Sequence, residues 1–114
     1  MTPYADASVI SVTLITAPSQ TVASDIANRL IEQKLAACVN ILPQITSVYK
    51  WEGKVNVDSE LLLIVKSDSS PLHLQALRDA VLEMHPYDTP EIIHVPVTAG
   101  LDKYIEWVKK ETSK

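Results

Sequence analysis

Two kinds of hydrophobic spacing succeed each other along this chain. In residues 9–17, Ile10, Val12 and Leu14 alternate with Ser11 and Thr13, while Val9 and Ile15 make the opposite side partly apolar as well. A strand apolar on both sides is one covered on both faces. After Pro18, Ser19 is placed to cap a helix in which Val22, Ala23, Ile26, Ala27, Leu30 and Ile31 recur three and four apart, so that helix should end near Lys34. From Ala37 to Trp51, β-branched and aromatic residues dominate, broken by Pro43, and a proline inside a strand marks a bulge or an edge. Glu52-Gly53-Lys54 makes a tight turn and residues 55–66 run back as a second long strand, giving a hairpin longer than any other element. Ser70-Pro71 opens a second helix, with Leu74, Leu77, Val81 and Met84 on one side. Residues 92–97 form a short strand, placed at an edge by Pro96, and Leu101, Tyr104, Ile105 and Val108 mark a terminal amphipathic helix after Gly100, with Lys109 and Lys110 at its negative end.

The order β-α-β-β-α-β plus a terminal helix predicts an α+β, ferredoxin-like fold with two helices on one face of a four-stranded sheet. One domain should span residues 1–114, with 1–8 as a disordered or extended tail. Strands of about twelve to fifteen residues reach about 40 to 50 Å at roughly 3.4 Å per residue, whereas a domain of this size has a gyration radius near about 13 Å. The hairpin tip must therefore project beyond its own helices. Tyr49, Trp51, Val55 and Val57 lie on that tip, and an isolated chain would leave them wet, so another subunit should cover them. The open edges of the sheet supply a means, by extension between chains.

Composition narrows the partners. Hydrophobic residues make up 46% of 114, enough for a core, and a net charge of -4 without a run of lysine or arginine excludes a nucleic-acid groove or an anionic membrane as partner. The longest aliphatic run, Leu61 to Val65, is far too short to span a bilayer, and residues 1–8 carry no basic stretch followed by an apolar one. A cytoplasmic protein is the expectation. Cys38 is the single cysteine, so one chain can form neither an internal disulfide nor a two-cysteine metal clip. With Gly53 and Gly100 as the only glycines there is no phosphate-binding loop, and no nucleophile stands beside a base in motif form. Neither an enzyme nor an organic cofactor is expected.

The richest chemistry lies in His85-Pro86-Tyr87-Asp88-Thr89-Pro90-Glu91, a connector stiffened by two prolines. His85 could ligate a metal with Asp88 and Glu91 as oxygen donors and Met84 as a soft thioether, or it could bond the last carbonyls of the second helix. His94 is a weaker candidate, and His73 should be exposed. Asp58 and Glu60 share a strand face, either as a carboxylate pair for cations or as a solvated or ion-paired surface. Cys38, between Ala37 and Val39, reads as a buried, inert small hydrophobe, with a metal or redox role as the alternative.

These segments resemble the CutA divalent-cation-tolerance proteins. The likeness rests on Thr16-Ala17-Pro18, Leu35-Ala36-Ala37-Cys38-Val39-Asn40, residues 47–54 (Ser-Val-Tyr-Lys-Trp-Glu-Gly-Lys), residues 85–91, and Tyr104 with Trp107. It implies a tight homotrimer whose hairpins extend sheets between subunits, with copper or another divalent cation as partner and no established catalysis. It also implies a copper site made of a cysteine before Thr-Ala-Pro and two adjacent histidines before Pro-Tyr. Here Ile15 stands at the cysteine position and Met84 at the first histidine, which leaves His85. Tyr49, Trp51, Tyr104 and Trp107 should pack across the trimer interface, or line a cleft between subunits with Tyr87. A trimeric regulatory module of the PII type, binding a small metabolite or a protein in such clefts, is the alternative function.

Overall fold

The computed structural model describes residues 4–113, with side chains from Ala7 onward. Its elements are β1 (Tyr4–Asp6), β2 (Ile10–Ala17), α1 (Gln20–Glu32), β3 (Cys38–Trp51), β4 (Lys54–Asp68), α2 (Pro71–Met84), β5 (Ile92–Pro96), β6 (Ala99–Leu101) and α3 (Asp102–Glu111). The main sheet has the order β3-β4-β2-β5, and every neighbouring pair in it is antiparallel. β2 and β3 are thereby split by β4, the ferredoxin-like arrangement of an α+β fold.

Alternation along β2 sends Ile15 and Ala17 into a core with Ala23, Ile26 and Leu30 of α1, Leu63 and Val65 of β4, and Leu77 and Val81 of α2. α1 starts where Ser19, in extended conformation, accepts a hydrogen bond from the Val22 amide. It stops at Lys34, which takes a left-handed φ of 58° so that the amides of Lys34 and Leu35 return to the carbonyls of Ile31 and Leu30. This turn corrects one expectation. It brings the Leu35 carbonyl within 2.8 Å of His73 Nε2, so His73 is buried rather than exposed.

The hairpin closes through Glu52 and Gly53, both at positive φ (50° and 79°), between paired Trp51 and Lys54. Two consecutive left-handed residues give the tight turn whose twist matches that of the flanking strands. Pro43 does mark a bulge: Leu42 pairs with Leu62 and Ile45 with Glu60, one extra residue on β3, taken up at Gln44 with φ 57°. The molecule is 50 Å along its longest axis, as the projecting hairpin requires.

A second, smaller cluster lies under α3, where Ile105 and Val108 meet Ala7 and Ile10, with Ala37 and Val97 against them. The amino-terminal segment is not wholly a tail, since Tyr4–Asp6 pairs with Ala99–Leu101; residues 1–3 lie outside the described residues. Neither of those short strands carries enough alternation to be read from three residues. α3 is tied to the end of β4 by an ion pair between Lys109 and Asp68, whose other oxygen accepts the Ser70 amide at 2.7 Å. The Ser70 side chain also bonds Asp68, and Ser70 begins α2 without using its own hydroxyl as a cap.

Burial alone would raise the Asp68 pKa, but the bonds from Lys109 and Ser70 outweigh it and hold the carboxyl at about 2, against 3.8 ordinarily. The folded state thus favours the carboxylate, and its contribution is present above pH 3.8 and lost as pH falls from 3.8 towards 2. In denaturant titrations at neutral pH, Asp68→Asn should cost about 1–2 kcal/mol and flatten the loss of stability across that acid range.

Candidate functional site

α2 delivers the 85–91 connector to the end of β2. The His85 amide closes the helix onto the Val81 carbonyl at 2.9 Å, and Pro86 then keeps His85 extended (φ -79°, ψ 131°). Helix capping is therefore the work of the His85 backbone. Its ring turns inward, 8% exposed, with Nε2 2.7 Å from the Thr16 carbonyl and Nδ1 3.2 Å from the Tyr87 amide. An amide can only donate, so Nδ1 is the acceptor and Nε2 carries the proton that goes to Thr16. Both nitrogens of this neutral imidazole are engaged with backbone groups.

Tyr87 stacks against His85 with ring centroids 4.7 Å apart at 56°, and its hydroxyl donates to Glu60 Oε2 at 3.0 Å. Glu60 is buried on β4 just beyond the end of β2, and Asp58, two residues away on the same strand face, accepts a hydrogen bond from Tyr49. Burial first, then the Glu60 bond and charge, with Asp58 and Tyr49 behind, pushes the Tyr87 phenol up to about 12. The Tyr49 phenol is likewise raised, chiefly by its bond to Asp58. The geometry is one of two carboxylates each held by a phenol, Glu60 at the root of the hairpin and Asp58 further towards its tip. Sequence spacing placed Asp58 and Glu60 on one face, but the partner of Glu60 depends on where the connector lands and that of Asp58 on the pairing of β3 with β4.

The other residues named from sequence are scattered. Met84 is half-buried and packs on the main core, and Asp88 and Glu91 are exposed on the connector. Among the described residues, no three of His, Cys, Asp or Glu are grouped to hold a metal ion. Ile15 is fully buried in the main core. Cys38 is half-buried rather than buried, with Lys66 Nζ 3.8 Å from Sγ and the Tyr104 hydroxyl bonded to it. Burial and that contact raise the Tyr104 pKa. Tyr104 and Trp107 pair on α3 with centroids 5.6 Å apart, at the end of β3 where Cys38 lies, whereas Tyr49 and Trp51 occupy its opposite end. Within one chain these four aromatics do not form a single pocket.

Tyr87→Phe tests the connector. It leaves buried Glu60 without its phenol, a loss of about 1–3 kcal/mol in equilibrium unfolding. Because the folded state holds the phenol proton more tightly, its contribution is present below pH 10 and lost as pH rises from 10 to about 12. The variant should show a shallower alkaline decline than the parent over that range.

The family model for the CutA1 divalent ion tolerance protein matches residues 11–111. The chain is 46% identical to the divalent-cation tolerance protein CutA of Thermus thermophilus, over 89% of this chain and 96% of that one. It is 50% identical to the chloroplastic protein CutA of Arabidopsis thaliana over 89% of its own length, but over 54% of that protein, so it spans about half the length of several curated relatives. The crystal structure of CutA1 from Oryza sativa superposes with a TM-score of 0.86 at 45% identity, covering 95% of this chain and 98% of that one.

Proposed function

This chain belongs to the CutA1 divalent ion tolerance protein family, and from that premise we propose that it serves tolerance of copper and other divalent cations as a homotrimer that contacts the ions weakly and catalyses no reaction. One observation carries this reading, the apolar surface that a single chain leaves open. On the hairpin tip Val48, Val55 and Val57 are 66%, 70% and 64% exposed, and Trp51 is 51% exposed. The sheet face turned away from α1 and α2 adds Leu42, Ile93 and Val95 around the half-buried Val12, Leu14, Leu62 and Ile64. Such a surface is that of an interface. The edges at β3 and β5 remain unpaired among the described strands, so a hairpin from one copy can extend the sheet of the next, and a head-to-tail contact of this kind closes as a ring.

Weak contact with metal is supported by the state of His85. Coordination at Nδ1 must displace the Tyr87 amide, and coordination at Nε2 must displace the proton given to Thr16. Asp88 and Glu91, exposed on the same connector, supply carboxylate oxygens that a divalent cation accepts.

Light scattering on the eluting protein should give three times the 12.6 kDa chain mass, and Val57→Asp should lower it. A monomer at micromolar concentration overturns the assembly. Calorimetric titration with Cu(II) should give weak binding, lost in His85→Ala. Absence of heat in the parent, or unchanged heat in the variant, overturns the His85 contact.

A further inference from the structure

A groove-like cavity of about 550 Å³, widely open to solvent, lies between the β2–β5 side of the sheet and the start of α2, on a wall that includes Ser11, Ser69, Leu74, His94, Val97 and Thr98. That volume is within the range of small-molecule sites. Register sets Ser11 opposite Pro96 and Thr13 opposite His94. By strand alternation these residues share the side of the sheet that Ile15 presents to the helices, away from the open apolar face. The site therefore lies off the open apolar face, beside the β5 edge.

Two groups here are unfinished. Ser11 is only 3% exposed, yet its Oγ has no hydrogen-bond partner among the described residues. A buried hydroxyl left unpaired is a standing cost, and such groups call for a physical reason. His94 has Nδ1 2.7 Å from Thr13 Oγ1, which leaves Nε2 without a partner among the described residues. Burial, and secondarily the charge of Arg78, lowers the His94 pKa, so the ring is neutral at neutral pH. The rest of the wall is hydroxyl and aliphatic, and no carboxylate, ammonium or guanidinium belongs to it among the described residues.

We propose that this cavity binds a small uncharged molecule with an amide or lactam head, bonded to Ser11 Oγ and His94 Nε2, and an aliphatic body lying against Leu74 and Val97. A serine hydroxyl both gives and accepts a hydrogen bond, and a neutral imidazole offers one bond of either sense. A cis-amide presents an acceptor and a donor side by side and so completes both. A cationic head would find no carboxylate on the wall, and Arg78, whose charge reaches His94, is not part of it to pair an anionic one.

The test is an NMR titration of the whole chain with δ-valerolactam, with acetate and methylammonium as charged controls. Saturable shifts should be confined to Ser11, Leu74, His94 and Thr98, with little response to either ion. Ser11→Ala should weaken lactam binding about tenfold, the loss of one hydrogen bond, and Leu74→Trp should abolish it by filling the space. Since Ser11 Oγ has no protein partner to lose, the melting temperature of Ser11→Ala should be unchanged or higher. No saturable shift, an equal response to the ions, or undiminished binding by Ser11→Ala would overturn the proposal. So would a lower melting temperature in that variant.

Discussion

Antiparallel pairing of β3 with β4 outruns the sheet that could support it. The two strands pair from Cys38 and Lys66 to Trp51 and Lys54, with one bulge between, whereas β2 accompanies β4 only as far as Ala17 and Leu61. Beyond that point the hairpin is a two-stranded ribbon, a structure that is marginal in water by itself. Its valines and Trp51 find no cover within the chain. The supported half and the unsupported half meet at the Pro43–Gln44 bulge and at Glu60, where the 85–91 connector also lands.

That meeting point explains the form of the connector. His85 fastens it to the end of β2 through Thr16, and Tyr87 fastens it to β4 through Glu60. α2, β2 and the hairpin root are locked together by two side chains that sequence reading regarded chiefly as possible ligands or cleft walls. The same bonds leave His85 with no free nitrogen in this chain, which is why any metal contact there is expected to be weak. Among the described residues, the buried side-chain polar atom left without a partner is Ser11 Oγ, near His94 on the β5 side of β2.

Strand and helix periodicity showed the main sheet, both packed helices and α3, because each buries a face wide enough to leave a pattern. Ser19, Pro43 and Gly53 fixed a cap, a bulge and a turn by local backbone chemistry alone. β1 and β6 escaped, since three residues carry no period. His73 was misread because its partner, the Leu35 carbonyl, is placed by the left-handed turn at Lys34, and nothing near His73 in sequence signals it. The Tyr87–Glu60 bond and the Ser11–His94 cavity are likewise products of tertiary placement. Cys38 gained a lysine and a phenol for neighbours by cross-strand pairing and by the docking of α3.

Amide hydrogen exchange across the hairpin examines the central claim most directly. If copies of the chain cover the ribbon beyond β2, amides of residues 45–57 should exchange as slowly as those of β2 in the core of the sheet. Exchange of those amides as fast as in the exposed 85–91 connector would contradict the account.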